Sequence, residues 1–207
     1  MSAPVLAFIS FILAKGALGD GSWLGACDST WFWLAIVLVV LHQIGVWLVF
    51  RSQLGWASLS RLLGKADLAV WAIFFIPLLI ARPAVLFALA MSDRTSSALP
   101  RTAGVLIGIL LLVPTVYTLW SVGRYFGIAR ALGGDHFRRK YWEMPLVREG
   151  AFRWSDNAMY SFAFLGLWAI AFLTGSQAAL SLALFQHIFV WMHYYCTEKP
   201  DMEMIYG

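Results

Sequence analysis

Carboxylates, imidazoles and aromatic rings collect at the two ends of the last apolar hairpin of the chain. One polar stretch runs from Gly150 to Tyr160, and the other begins at His193 and contains Glu198. Because a single pair of antiparallel apolar segments joins the two stretches, both surface on the same side of whatever the hairpin crosses. Carboxylates and aromatic faces placed there suit a cationic ligand held at a boundary between water and lipid.

The last apolar segment carries four polar or aromatic residues on one face. His187, Trp191, Tyr194 and Glu198 follow one another at helical spacing. A histidine inside an apolar span is costly unless it faces protein or water, which makes His187 a functional candidate. The alternative is a helix–helix hydrogen bond beside an interfacial aromatic belt. We expect Glu198, which follows the span at once, to be functional rather than part of a solvated tail.

The long polar segment at residues 121–158 adds residues of four kinds. Its glycines allow close backbone approach to a ligand, and its arginines can hold a carboxylate by bidentate contacts. Acidic and imidazole groups and aromatic rings complete the set, although each ring equally fits the core or an interfacial belt. The residues are Gly123, Gly127, Gly133 and Gly134; Arg124, Arg130 and Arg153; Asp135, His136 and Asp156; and Tyr125 and Trp154, joined by Tyr160 just after the segment.

Composition decides which elements position these residues. The chain is 61% hydrophobic and 13% charged, against roughly half and roughly a quarter in soluble domains. Long apolar runs that cross lipid must be helical, since lipid offers the backbone no partners. We therefore predict an all-α polytopic transmembrane bundle of about five spans, with a cytosolic loop and the C-terminal tail forming the site. The predicted spans are Trp31–Phe50, Leu68–Ala90, Ala103–Trp120, Met159–Thr174 and Ala178–Tyr195.

The five spans form a single integral-membrane domain over residues 1–207, with N-terminal spans in 1–102 and a catalytic core in 103–207. Gly175 to Gln177 is too short to allow anything but an antiparallel pair. The apolar segment Pro4 to Ala14 has no basic residue before it. It therefore indicates an interfacial or partly inserted helix rather than a signal peptide.

The distribution of basic residues predicts the orientation. Of the 15 Lys and Arg residues, 11 fall in the connections at residues 51–67 and 121–158 and in the tail, and three fall on the other side. The richer side is expected to be cytosolic, which places the N-terminus in a lumen or outside and the C-terminus in the cytosol. This asymmetry accounts for the net charge of +4, so no nucleic-acid partner is implied. Cys27 and Cys196 fall on opposite sides, and no spacing indicates a metal site or a nucleotide loop.

Three blocks of the C-terminal half resemble membrane phosphatidylethanolamine N-methyltransferases. Asp156-Asn-Ala-Met-Tyr160 resembles their Asp-Asn-Pro-Met-Tyr signature, and Gly134-Asp-His-Phe137 is similar to their Gly-Asp-Tyr-Phe. Glu198-Lys-Pro, followed by Glu203-Met-Ile-Tyr206, is similar to their Glu-Glu-Pro and Glu-Ile-Tyr. The likeness covers about the last 85 residues and keeps the order of the family's blocks.

Two departures and one contrast qualify this resemblance. Ala158 replaces the family's proline, and Lys199 replaces the second acid of a pair linked to S-adenosylmethionine binding. In the wider superfamily, isoprenylcysteine carboxyl methyltransferases and sterol reductases carry Arg-His-Pro where this chain has Asp156 to Ala158. That difference favours the phospholipid branch.

The resemblance implies methyl transfer from S-adenosylmethionine to the ethanolamine nitrogen of phosphatidylethanolamine or its mono- and dimethyl derivatives, toward phosphatidylcholine. The partners are then the phospholipid and the bilayer. The amine must lose a proton to react, and the catalytic candidates for this step are His193, Asp135 and Glu198. The expected cofactor-binding residues are Glu198, Lys199, Asp156, Asn157, Tyr160, Arg153, Gly127 and Gly134. The expected substrate-binding residues are Trp154, Tyr125, Tyr194 and His136.

Other functions compete with this reading. An isoprenylcysteine carboxyl or small-thiol methyltransferase would handle the cofactor in the same way and differ only in its acceptor pocket. A nicotinamide-dependent reductase would show the Arg-His-Pro block. A non-catalytic scaffold or transporter subunit is supported by Arg82, which lies inside the second span beside Pro83. By resemblance the expected membrane is the endoplasmic reticulum, with a bacterial inner membrane as the alternative.

Overall fold

The computed structural model describes residues 3–94 and 96–206 and is predominantly helical there. The predicted all-α bundle is therefore confirmed. Two short antiparallel strands, β1 (Ser22–Trp23) and β2 (Ala26–Cys27), precede the second helix. The α-helices of this part of the chain are α1 Ala3–Ala14, α2 Asp28–Trp56, α3 Ser58–Leu63, α4 Asp67–Ser92, α5 Arg101–Ser121, α6 Ile128–Ala131, α7 Gly134–Phe137, α8 Leu165–Thr174, α9 Gln177–His193 and α10 Lys199–Tyr206.

Three helical segments are long and apolar enough to cross a membrane, by length and composition: Asp28–Trp56, Ser58–Ser92 and Arg101–Phe126. The apolar segment Met159–Thr174 is shorter. Large apolar side chains such as Leu41, Ile73 and Leu110 point away from the bundle and are exposed. A lipid environment accommodates such a surface, whereas water would penalise it.

The turn between α8 and α9 fixes one end of the predicted hairpin. Gly175 adopts a left-handed φ of 71° and ends α8, a conformation that glycine takes without strain. The Ser176 hydroxyl caps α9 by accepting from the backbone N–H of Ala179. Asp93, just after α4, accepts from the Ser176 hydroxyl at 2.7 Å and from the Ala178 N–H at 2.8 Å. We call this the outer end of the bundle.

Helix α1 packs into the bundle through one face. Leu6 and Ala14 are buried in a core that also contains Phe32 of α2 and Leu182 of α9. The opposite face of α1, including Phe8, is exposed. The segment that the sequence marks as an isolated apolar stretch thus becomes part of the bundle wall, while its outer face still requires an apolar surrounding.

Candidate functional site

Three π-helical turns lie at the inner end of the bundle, where α5 and α9 finish and α8 begins. They comprise Val122–Phe126, Met159–Ala163 and Tyr194–Glu198. Such turns make up well under ~1% of residues in soluble proteins and often mark functional sites. Each one widens its helix by a residue, and so re-aims the side chains around it. The inner end is therefore the candidate site.

Tyr160 and Glu198 join the two polar stretches directly. The Tyr160 hydroxyl donates a hydrogen bond to Glu198 Oε1. Tyr160 lies in the π turn that begins the α8 segment, and Glu198 lies in the π turn that extends α9. The two stretches that flank the hairpin in sequence thus fold against each other, as the topology of the hairpin requires.

His193 lies beside the same carboxylate. Its Nε2 is 3.5 Å from Glu198 Oε1, which is longer than an ordinary hydrogen bond but close enough for an ion pair when the imidazole is protonated. The His193 residue is 8% exposed, and its Nε2 has no hydrogen-bond partner among the described residues. The Glu198 side chain is 23% exposed. The carboxylate is therefore reachable, and the imidazole has a free nitrogen.

Aromatic rings surround this pair of groups. The ring of Tyr160 meets Tyr194 and Trp191 edge-on, with centroids 6.3 Å and 6.2 Å apart. Tyr194 also meets Trp191 edge-on. A carboxylate that lies among aromatic faces favours a cation by charge and by its attraction to the rings. The predicted substrate-binding residue Tyr194 thus lies next to the predicted cofactor-binding residues Tyr160 and Glu198.

His187, on the same face of α9, has a structural contact. The indole Nε1–H of Trp168 on α8 donates to His187 Nδ1 at 3.0 Å. This is the helix–helix hydrogen bond that the sequence allowed as the alternative. This bond links α8 to α9 on the side of Tyr160 that faces the outer end of the bundle, and it helps to set the spacing of the two helices.

Asp135 and His136 hold the tail in place. The Tyr206 hydroxyl donates to Asp135 Oδ2 at 2.7 Å, and burial together with this bond raises the pKa of Tyr206 to about 12. His136 Nε2 lies 3.1 Å from Asp201 Oδ2, and the His136 ring stacks on Phe50 at 3.9 Å. The block Gly134–Phe137 thus anchors α10 to α2, and no hydrogen bond or ion pair joins it to Glu198 in the described part of the chain.

The predicted aromatic residues Trp154 and Tyr125 pack against aromatic residues of α5. Trp154 packs against Tyr117 with ring centroids 5.5 Å apart, and Tyr125 meets Trp120 edge-on. Neither ring is in aromatic contact with Tyr160 within the described residues. Arg124 and Arg153 are exposed. The structure thus separates the expected substrate-binding residues into three groups, of which only Tyr194 adjoins the carboxylate.

Two predicted glycines play different parts. Gly127 has a φ of 89° with open space around its Cα, so it is required by backbone conformation alone. Gly134 is buried, and a Cβ there would lie 2.5 Å from the carbonyl oxygen of Ala129. Close packing of the α6–α7 turn, rather than space for a ligand, demands glycine at this position.

The remaining predicted cofactor-binding residues lie near the surface. Asp156 and Lys199 are exposed, and Asn157 is half-buried. The Asn157 carbonyl accepts from the N–H groups of Tyr160 and Ser161, so it starts the π turn that carries Tyr160. No group of three His, Cys, Asp or Glu residues able to hold a metal occurs within residues 3–94 and 96–206. Gly207, the last residue of the predicted tail, lies outside the described residues.

Sequence reasoning missed several buried polar groups of the N-terminal helices. His42 and Gln43 are buried on α2, and Arg51 pairs with Asp201 at 2.8 Å. Asp67, at the start of α4, is buried and paired with Arg138. A His-Gln pair inside an apolar run is the signal that would have found the first two. The two ion pairs join residues distant in sequence and leave no local signature.

Comparison with known proteins gives a family match over the C-terminal half of the chain. Residues 103–207 match the family described as phospholipid methyltransferase. A phosphatidylethanolamine N-methyltransferase of Komagataella phaffii is 31% identical over 74 residues, covering 36% of this chain and 8% of the relative. One of Eremothecium gossypii is 24% identical over 169 residues, covering 80% of this chain and 18% of the relative. The chain therefore spans less than a fifth of the length of these relatives, and no solved structure matches it significantly.

Proposed function

The chain belongs to the phospholipid methyltransferase family, and on that premise we propose that it transfers methyl groups from S-adenosylmethionine to the ethanolamine nitrogen of phosphatidylethanolamine or its mono- and dimethyl derivatives. The product series leads toward phosphatidylcholine. The observation that carries the proposal is the meeting of Tyr160, His193 and Glu198 at the inner end of the bundle.

The chemistry of this group of residues fits the cofactor. When bound, S-adenosylmethionine supplies an activated methyl group on a positively charged sulfonium. Glu198 offers that charge a carboxylate, while Tyr160, Tyr194 and Trp191 offer aromatic faces. The hydrogen bond from Tyr160 holds the Glu198 carboxylate beside these aromatic rings. Asn157 supports this arrangement by holding the turn that positions Tyr160.

His193 is the residue that we propose to accept the proton of the lipid amine. A primary alkylammonium group titrates near ~10, so the amine needs a base before its lone pair can attack. His193 Nε2 has no hydrogen-bond partner among the described residues, and Glu198 at 3.5 Å would stabilise the imidazolium that results. Asp135, another of the three predicted catalytic residues, accepts a hydrogen bond from Tyr206. We therefore assign it to positioning the tail.

We further propose that the inner end faces the cytosol. The long segment and α10 contact each other there, and together with the connection after α2 they carry most of the basic residues. The endoplasmic reticulum is the membrane that we propose, with a bacterial inner membrane as the alternative. Labelling with a membrane-impermeant maleimide should modify Cys27 and Cys196 from opposite sides of sealed vesicles.

The test of the proposed function is methyl transfer by the purified protein in phospholipid nanodiscs. Methyl-labelled S-adenosylmethionine is supplied with phosphatidylethanolamine, its monomethyl and dimethyl forms, an isoprenylcysteine or a small thiol. We expect label in the ethanolamine lipids. Label that appears solely in the carboxyl or thiol acceptors would contradict the proposal and indicate the related methyltransferase class.

The Glu198→Gln variant, compared with a control at an exposed position, tests whether Glu198 binds the cofactor. We expect its affinity for S-adenosylmethionine to fall tenfold or more, since a contact to a charged group contributes about 1.5–3 kcal/mol. The control is Glu143→Gln, which removes the same charge from an exposed position of the long segment. Equal cofactor affinities in the two variants would remove Glu198 from the site. His193→Gln should keep cofactor affinity and lose turnover.

A further inference from the structure

Arg82 lies inside the bundle with no carboxylate to balance its charge. The residue is 4% exposed, and its Nε–H donates to Gln186 Oε1 on α9 at 3.0 Å. The guanidinium carbon lies 5.1 Å from the ring centre of Phe164. Among the described residues, no carboxylate oxygen lies within 4.0 Å of Arg82. A buried cation in such surroundings costs several kcal/mol unless an anion accompanies it.

Two N–H donor groups at Arg82 and Gln186 have no acceptor among the described residues. Arg82 Nη2 and Gln186 Nε2 are both buried and have no hydrogen-bond partner in the described part of the chain. The Gln186 amide is oriented by its oxygen, which accepts from Arg82, so its NH₂ group remains free for another acceptor. His42 on α2 lies within electrostatic range of Arg82, and both of its ring nitrogens also lack hydrogen-bond partners among the described residues. A positive charge beside several free N–H groups is the arrangement that binds an oxyanion.

A chain of contacts connects this cluster to Glu198. The Phe164 ring centre lies 5.1 Å from the guanidinium carbon and 6.1 Å from the ring centre of Tyr160, whose hydroxyl is bonded to Glu198. In an ethanolamine phosphate, the nitrogen and the phosphorus are separated by four bonds of about 1.5 Å, or ~5 Å when extended. A headgroup whose amine contacts Glu198 would extend its phosphate past Tyr160 toward Phe164 and Arg82, with the acyl chains deeper in the bilayer.

Helix α4 is locally weakened around this residue. Pro77 and Pro83 lie within the helix, and each lacks the N–H that would bond to the carbonyl four residues earlier. Arg82 thus lies in the turn before Pro83, which has lost a hydrogen bond. Small movements of this part of α4 cost less than they would in an unbroken helix, which allows a headgroup to reach the donors.

We propose that Arg82 and Gln186 bind the phosphodiester of the lipid acceptor and so set the position of its amine at Glu198. The proposal rests on the proposed function and extends it to the recognition of the substrate. The methionyl carboxylate of the cofactor has the same oxyanion chemistry. The contacts that lead from Arg82 through Phe164 and Tyr160 to Glu198 favour the lipid, and the experiment distinguishes the two sources.

The main test is Gln186→Glu, which gives Arg82 a carboxylate of its own at the position of the present amide. The substitution neutralises the buried cation and removes the free NH₂ donors, so the variant should fold at least as stably as the parent protein. We expect its KM for phosphatidylethanolamine to rise at least tenfold, with affinity for S-adenosylhomocysteine within twofold of the parent. Gln177→Glu, the same substitution at the outer end of α9, is the matched control and should change neither. Arg82→Gln is the second variant, and it should raise KM similarly.

Direct lipid binding makes the test independent of activity. Phosphatidylmethanol has the phosphodiester but no amine, and diacylglycerol has neither. We expect the parent protein to bind phosphatidylmethanol in preference to diacylglycerol in native mass spectrometry and the Gln186→Glu variant to lose that preference. An unchanged preference and unchanged KM in the folded variant would overturn the inference, as would a loss of cofactor affinity with lipid binding intact. A parent protein that binds phosphatidylmethanol but methylates no ethanolamine lipid would instead overturn the proposed function.

Discussion

Asp201 is the buried residue on which the position of the C-terminal helix depends. Its side chain is fully buried and contacts Arg51 at 2.8 Å and His136 at 3.1 Å. We predict that Asp201→Asn loosens α10 without unfolding the bundle. The asparagine keeps an oxygen that serves one partner, whereas the other partner loses its acceptor and both lose the charge.

The magnitude follows from the burial of the two partners. The side chain of Arg51 is 35% exposed, so its pair with Asp201 is screened by solvent and contributes at most about 1 kcal/mol. The contact of His136 is fully buried, and a bond to a charged group there contributes about 1.5–3 kcal/mol. Allowing for the oxygen that remains, the variant should lose about 2 kcal/mol of docking free energy. This corresponds to a roughly 30-fold increase in local opening.

Hydrogen exchange followed by mass spectrometry measures that opening. The amides of residues 199–206 should exchange roughly 30-fold faster in Asp201→Asn, by conversion of the 2 kcal/mol above, while those of α2 and α5 stay unchanged. Glu203→Gln is the control, since Glu203 lies on the same helix but is exposed. Equal exchange of α10 in the two variants would refute the idea that the buried contacts of Asp201 hold the tail.

Two further predictions concern other parts of the chain. The Ser29 and Thr30 hydroxyls, at 3.2 Å and 3.0 Å from the Cys27 sulfur, lower the pKa of this exposed thiol to about 7. Its rate of alkylation should therefore reach half-maximum near pH 7. In the Ser29→Ala, Thr30→Val double variant the midpoint should move up toward ~8.5, with Cys27→Ser as the background; an unshifted midpoint would rule out the hydroxyls as the cause. Gly134→Ala should destabilise the protein by about 1–3 kcal/mol, because its methyl group meets the Ala129 carbonyl. Gly45→Ala on α2, where a Cβ meets nothing, is the control in thermal unfolding, and equal stability of the two would contradict the packing argument.

Several features of the fold could be predicted from local sequence. The five apolar segments predict α2, α4, α5 and the α8–α9 hairpin, since hydrocarbon requires helices. The short turn around Ser176 predicts the antiparallel pair, and the approach of the stretch around Asn157 to the tail follows from it. The blocks that resemble phosphatidylethanolamine N-methyltransferases fall within the part of the chain that matches the family.

The residues of the long segment show where such reasoning stops. Asp135 and His136 have the residue types of a catalytic site, yet they contact Tyr206 and Asp201 of the tail. Side-chain type alone does not distinguish a catalytic base from a buried residue that anchors the tail, because both are polar groups in a low-dielectric environment. The role of Asp135 and His136 depends on partners about 71 and 65 residues away in sequence.

The sequence by itself determined the helical architecture, the end of the bundle where polar groups collect and the family, because hydrophobic period and local motifs are properties of neighbouring residues. The tertiary structure alone decided which polar groups meet. It placed His42 near Arg82, brought Gln186 to the guanidinium and joined Arg51 to Asp201. Helices that are distant in sequence come together through packing of their apolar faces, and the pairing of buried charges is a consequence of that packing, which no local pattern encodes.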